Sequence, residues 1–287
     1  LFNNQLFLRT IFLKVFWVLG FKALKEYPRF LKLGLKPFNP LELAEATEKI
    51  VCKAGSEGVE RKYTAFYATG VYRGIATGYA VGCCLRCYYC WSEWSRDFPD
   101  LYGDYYSPRE VFENLDKAAK KYGVNKLRIS GCEPTLCKSH LLELLKYVEE
   151  SKYSLFILET NGILFGSDEN YVKEVSKFSK VHVRVSLKAA KPETFTSRTG
   201  ALPEFWELPF KAVEHLYRHG VSFHVAAMTD PRIMPKDERK VLIEKLREVD
   251  DVVAANLEEE LCDPYETTMA RMWAYGVDPA EFFLQEG

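Results

Sequence analysis

The chain is predicted to be an α/β protein whose core is a partial (βα)6 TIM-type barrel of parallel strands, on three observations. From residue 72 onward, short runs of β-branched and aromatic residues alternate with amphipathic stretches of helical period, the units repeating about every thirty residues. The 287 residues are 47% apolar, enough to bury one large core. One strand alternates charged and aliphatic residues so regularly that its polar face needs an interior to fill. Repeated βα units imply right-handed crossovers between parallel strands, and six of them close only part of a barrel.

The elements follow in order. Residues 1–71 are read as a basic, apolar, helical extension. The first forty carry Arg9, Lys14, Lys22, Lys25, Arg29, Lys32 and Lys36 against the single acid Glu26. Between positions 6 and 21 large apolar residues dominate, but Arg9 and Lys14 interrupt a run already shorter than the roughly 20 residues a membrane span requires. A helix packed beneath the barrel, a basic helix on a membrane or partner surface, and a signal-like segment remain open.

Residues 72–256 form the barrel, with strands expected at 72–81, 124–130, 154–159, 181–187, 221–227 and 252–256. Ser107, Pro108 and Glu110 make a capping box with proline at the first helical position. Ser167 is expected to cap the helix after the third strand. Helices follow at 204–218 and 236–249, with Gly220 as the stop after the first. Residues 257–287 are a short C-terminal extension. The net charge of -1 provides no global field for nucleic acid.

In the strand at 181–188, a period of two puts every valine on one face and His182, Arg184, Ser186 and Lys188 on the other. Lys126, Arg128 and Ser130 repeat this on the second strand, Ser222 and His224 on the fifth. A barrel filled by its own side chains would carry apolar residues there, so the pattern predicts a lumen that holds a polar ligand. Charges so placed need partners, and Glu159 is the candidate. The competing reading is a strand with one face in solvent.

Eight cysteines without paired spacings, four of them in one loop, read as a reduced intracellular protein with a metal site rather than a disulfide framework. Cys83, Cys87 and Cys90 are spaced C-x-x-x-C-x-x-C. Three thiolates leave one iron of a four-iron cluster without a protein ligand, whereas electron-carrier cubanes and structural zinc sites normally take four. Tyr89 before the last cysteine gives the loop its C-x-x-x-C-x-aromatic-C form. A second motif, Ser130-Gly131-Cys132-Glu133-Pro134, follows about forty residues on. Glu159-Thr160-Asn161-Gly162 and Ser186-Leu187-Lys188 then fall at the ends of the next two predicted strands. With these motifs in this order, residues 74–256 resemble the radical SAM superfamily. The Gly-Cys-Glu-Pro loop carries Cys132 where that family usually has a second glycine.

The resemblance implies a [4Fe-4S] cluster on Cys83, Cys87 and Cys90, whose open iron binds S-adenosylmethionine. Reductive cleavage then gives a 5′-deoxyadenosyl radical that abstracts hydrogen from a substrate. It also implies that Gly131, Cys132 and Glu133 hold the methionine amino group, that Asn161 and Ser186 bond the ribose, that Lys188 or Arg184 neutralises the carboxylate, and that Tyr89 flanks the adenine. An external one-electron donor of ferredoxin or flavodoxin type follows. The setting is read as cytoplasmic and anaerobic, with RNA or a membrane surface as further contacts of the basic N-terminus. Cys132 is the candidate catalytic residue, as a hydrogen-atom donor or a substrate ligand. Cys84 permits an alternative C-x-x-C-x-x-C register but is read as a packed thiol. The competing function is a non-catalytic protein, either an iron-sulfur electron carrier or a zinc-binding module. No substrate is identified: a small metabolite, a nucleoside or tRNA base, and a protein side chain stay open.

Overall fold

The computed structural model describes residues 27–284. The segment 6–21 and the cations Arg9, Lys14, Lys22 and Lys25 lie outside the described residues. Among those described, six parallel strands form the barrel wall in sequence order: β3 (Ile75–Ala80), β5 (Lys126–Gly131), β6 (Leu155–Thr160), β7 (Val181–Leu187), β8 (Ser222–Met228) and β9 (Glu258–Glu260). The β7 bounds are those expected from its alternation. Its aliphatic face (Val181, Val183, Val185, Leu187) is buried against the surrounding helices, which leaves the polar face for the lumen.

Several expectations are corrected. The extension before residue 72 is not wholly helical. After the helix α1 (Pro40–Val51), β1 (Cys52–Gly55) and β2 (Gly58–Thr69) form an antiparallel pair, and β2 runs antiparallel along β3. A short strand, β4 (Asp104–Tyr106), adds to the other part of β2. Val59, Tyr63, Phe66 and Tyr67 make this a β-rich run. Basic residues between them hid it.

The segment 252–256 is not a strand. It belongs to a helix, α9 (Asp251–Ala255), started by Asp250, whose carboxylate accepts a hydrogen bond from the Val252 amide at 2.7 Å. The sixth strand is the acidic triplet that follows, Glu258–Glu260, paired with Ala226–Met228 of β8. Its residues are poor strand formers, and their reason for being there lies across the lumen rather than in the local chain.

The remaining helices are α2 (Pro108–Tyr122), α3 (Lys138–Glu150), α4 (Ile163–Ser167), α5 (Glu169–Val175), α6 (Pro192–Thr199), α7 (Leu208–Arg218), α8 (Lys236–Val249), α10 (Glu266–Tyr275) and α11 (Pro279–Leu284). The capping box at α2 is formed in both directions. The cap of α5 is Asp168, which accepts from the Tyr171 amide. Ser167 instead ends α4. The helix expected at 204–218 is divided, with a 3₁₀ turn at Pro203–Phe205 before α7, because Pro209 sits in the first turn of the latter.

Cys52 at the start of β1 and Cys137 at the start of α3 form a disulfide, Cα atoms 6.2 Å apart and 85 residues apart in sequence. This corrects the reading of all eight cysteines as reduced. The pairing joins two elements whose proximity depends on the fold, so no local spacing announces it. No described helix is long and apolar enough to cross a membrane.

Candidate active site

The cysteine loop follows β3, the first barrel strand, and descends across the C-terminal ends of the sheet. Gly82 turns it with φ +83°, and a Cβ there would meet Thr47 of α1 at 2.6 Å. Thus α1 packs directly beneath the loop. Cys83, Cys87 and Cys90 line one cavity together with Tyr89, Cys132 and Asn161.

Among the described residues, the one set of three metal-ligating side chains with donor atoms all within 4.8 Å is Glu48, Cys52 and Cys137. Two of these, Cys52 and Cys137, are bonded to each other and are not open to a metal. Cys84 touches Cys83 but does not line the cavity of the three loop thiols. It is fully buried and its sulfur takes a hydrogen bond from Asn161 Nδ2 at 3.4 Å, as a packed thiol.

Charge around the loop is unusual. Arg86 Nη1 donates to the Cys83 carbonyl (2.7 Å), Arg96 Nη1 to the Cys87 carbonyl (2.6 Å) and Arg271 Nη1 to the Cys90 carbonyl (2.6 Å). All three guanidiniums are at most 1% exposed, and Asp97 is the carboxylate that pairs with Arg96 and Arg271. Buried cations in excess of buried carboxylates are costly unless an anion completes the site. Three thiolates holding a cluster provide that anion, so the donor set fits the group.

The thiols respond individually. Cys83 is drawn down to about 7, chiefly by the hydrogen bond from Cys84. Burial works against ionisation of Cys90, but Arg96 and Arg271 outweigh it and its thiol lies below the ordinary value. Burial pushes Cys87 up to about 12.

The Gly-Cys-Glu-Pro loop leaves the end of β5. Gly131 has φ +94°, and a Cβ would meet the Ala80 backbone at 3.0 Å, so only glycine allows β5 to approach β3 this closely there. Its carbonyl accepts from Ser92 Oγ at 2.6 Å, tying the two loops together. Glu133 is 1% exposed and turned inward. Oε1 accepts from Thr135 N, Thr135 Oγ1 and Thr160 Oγ1, and Oε2 from Asn161 N at 2.8 Å. The carboxylate thus braces the ends of β5 and β6 while still bordering the cavity. Arg61 of β2 holds the loop from below through the carbonyls of Glu133, Pro134 and Leu136.

Cys132 lines the cavity, its sulfur 3.5 Å from Ser95 Oγ, and burial pushes its thiol up to about 12. It is held as S–H. Tyr89 is buried edge-on to Tyr88, centroids 5.2 Å apart, with a hydroxyl that has no partner among the described residues. Asn161, expected at a ribose, braces the loop through Cys83 and Cys84, and its Oδ1 accepts from Ile163 N at 3.0 Å in the turn that leads into α4.

The polar lumen is present as the alternation predicts. Arg128 and Ser130 bond Glu159, and Tyr72 donates to it at 3.0 Å. Arg184 pairs instead with β9, donating to Glu258 (2.9 and 3.1 Å) and Glu260 (2.8 Å), while Ser186 donates to Glu260 at 3.0 Å. Lys188 bonds Ser186 Oγ and lines the cavity. The hydrogen bond from His224 and then the Arg184 guanidinium hold Glu258 down to about 2. Sequence reasoning missed Glu258, Glu260, Arg96, Asp97 and Arg271. The acidic triplet was the available signal, since the lumen held more cations than Glu159 alone can satisfy.

A six-stranded parallel barrel wall, with an open three-thiol loop at the carboxyl ends of its strands, defines a class of cluster-dependent α/β proteins. The superfamily model for radical SAM proteins matches residues 79–254, and the chain belongs to that superfamily, whose cofactors are a [4Fe-4S] cluster and S-adenosylmethionine. Over 117 residues it is 32% identical to a "Probable GTP 3′,8-cyclase" of Methanocaldococcus jannaschii, covering 41% of this chain and 37% of that one. Over 149 residues it is 32% identical to a "GTP 3′,8-cyclase" of Desulforamulus reducens, covering 51% and 44%. Each match spans less than half of the relative's length. The crystal structure of Streptococcus suis SuiB bound to precursor peptide SuiA superposes with a TM-score of 0.52 at 18% identity, covering 66% of this chain and 39% of that one, which supports the shared fold.

Proposed function

We propose that this chain is a radical SAM enzyme that abstracts hydrogen from a polar small molecule held at the mouth of the lumen. The observation that carries this is the three-thiol loop, ringed by buried arginines, opening into the same cavity as Cys132, Asn161, Ser186 and Lys188. When bound, the cluster supplies one electron and S-adenosylmethionine the 5′-deoxyadenosyl radical. Cys83, Cys87 and Cys90 hold the cluster. Gly131, Cys132 and Glu133 shape the wall that receives the methionine amino group, with Glu133 acting through the backbone it braces. Lys188 is the cation for the methionine carboxylate, because Arg184 is already committed to Glu258 and Glu260. Asn161 and Ser186 border the ribose, and Tyr89 lends its ring and free hydroxyl to the adenine side.

Cys132, kept protonated by burial, suits hydrogen-atom donation. Replacement by serine should leave cluster content intact and lower product yield; unchanged yield would remove that role. For substrate, the two cyclase relatives favour a purine nucleotide. GTP is the first compound to test, anaerobically, with the reduced reconstituted chain. Consumption of GTP with stoichiometric 5′-deoxyadenosine supports it, and nucleoside formation with GTP untouched refutes this substrate alone.

The electron donor is proposed to be of ferredoxin or flavodoxin type and the setting anaerobic, because a low-potential cluster needs both; the cytoplasmic setting is proposed on the six cysteines that stay free. Contact with RNA or an anionic membrane through residues 1–40 stays a proposal, supported by the seven cations in that stretch. Arg29 is not free for it, since it is bidentate to Asp100 at 2.9 and 3.0 Å. Salt-sensitive binding that survives deletion of residues 1–40 would contradict the idea.

A further inference from the structure

The three ligand cysteines each have their carbonyl oxygen taken by a different buried arginine: Cys83 by Arg86, Cys87 by Arg96 and Cys90 by Arg271. Arg271 stands on α10, outside the segment shared with the superfamily model. It also donates to the carbonyls of Ser92 (2.6 Å) and Glu93 (3.0 Å). Its neighbours on the same helix repeat the attachment, Thr267 Oγ1 bonding the Trp91 carbonyl at 3.0 Å and Thr268 Oγ1 the Cys90 carbonyl at 3.3 Å. Asp97, fully buried, joins Arg96 to Arg271 through separate carboxylate oxygens, Oδ1 and Oδ2.

We propose, resting on the cluster reading above, that Arg96, Asp97 and Arg271 are positioning residues that set the reduction potential of the cluster, Arg271 and Arg96 raising it and Asp97 lowering it. Reduction adds one electron to the cluster and breaks no bond, so the reduced form carries one more negative charge than the oxidised form. A buried guanidinium against the ligand loop favours the more negative state. In an effective dielectric of about 20, a unit charge held against the ligand loop changes that balance by about tenfold. The carbonyl contacts add a geometric constraint, because α10 holds the Cys90 side of the loop and Arg86 the Cys83 side.

The sign of the effect separates tuning from mere packing. Reconstituted wild-type protein, R271M, R271K and D97N are titrated with dithionite and mediators, following the reduced cluster by EPR. Relative to wild type, R271M should lower the reduced-to-oxidised ratio at fixed ambient potential about tenfold, a shift of ~59 mV for one electron. D97N, which leaves both arginines unneutralised, should move it the opposite way. R271K should fall close to wild type. If R271M does not assemble a cluster, D97N alone carries the test, since a packing role has no reason to raise the potential. Potentials that stay put, or that move the same way in R271M and D97N, overturn the proposal and leave the parent reading standing. A wild-type chain that takes up no four-iron cluster overturns both.

Discussion

At single residues, the site depends on positions where one atom decides the geometry. Gly131 sits with φ +94° and its Cα against the Ala80 backbone. Gly131→Ala forces an L residue into a region it rarely adopts and separates β5 from β3. We expect a loss of about 1–3 kcal/mol in urea unfolding, together with weaker S-adenosylmethionine binding in calorimetry. A second position reports on pH. His140 is 1% exposed, held by the Val59 carbonyl at 2.7 Å and the Tyr63 hydroxyl at 3.1 Å, and burial lowers it to about 4.

Its folded value lies below that of the unfolded chain, so it costs nothing above pH ~6.5 and destabilises progressively as pH falls from ~6.5 to ~4. The loss reaches on the order of 3 kcal/mol and is constant below that range. His140→Gln should flatten that part of the stability profile. Residue identities of this kind were partly legible in the sequence. The cysteine loop and Gly131 lie in short motifs whose spacing is itself the signal. Arg96, Asp97 and Arg271 were not legible as a group, because Arg271 joins the other two across 174 residues.

At the level of elements, β7 and β9 are understandable only together. β7 carries Arg184 and Ser186 toward the lumen, and β9 answers with Glu258 and Glu260. Alternation showed the polar face of β7 because its other face is aliphatic. β9 has no apolar face to show, so the nearby run Val252-Val253-Ala254-Ala255 drew the strand assignment, although Asp250 caps it as a helix. The element is specified by its partner's charges. Arg184→Met should therefore cost about 1–3 kcal/mol in denaturant unfolding, since it leaves the half-buried Glu260 and the more exposed Glu258 without their guanidinium. R184M/E258Q should recover part of that loss. Failure of the double variant to recover any stability would contradict the pairing.

The Cys52–Cys137 bond links β1 to α3, immediately beyond the Glu133 loop. Thiol titration of the denatured, cluster-free chain should give six reactive thiols before reduction and eight after, as the cysteine count requires. Eight before reduction would show that the bond is not held.

At the scale of the molecule, the described residues build a six-stranded parallel wall with an antiparallel extension of β1, β2 and β4. The barrel was readable because each βα unit repeats the same signals. The extension was not, because β2 pairs along an edge that no local pattern reveals. Its consequence is functional, since Arg61 on β2 supports the Gly-Cys-Glu-Pro loop from the side opposite the cavity. The C-terminal extension likewise reaches back through α10 to the cysteine loop. Thus α10 holds the cysteine loop and β2 the neighbouring Gly-Cys-Glu-Pro loop, and the proposed activity of the pair is reductive cleavage of S-adenosylmethionine.

The most direct measurement is chromatographic detection of 5′-deoxyadenosine after anaerobic reconstitution with iron and sulfide, dithionite reduction and addition of S-adenosylmethionine, in wild type and in Cys87→Ala. The nucleoside should form in wild type and be absent in the variant. A fully assembled, reducible cluster that yields no nucleoside would contradict the proposed activity.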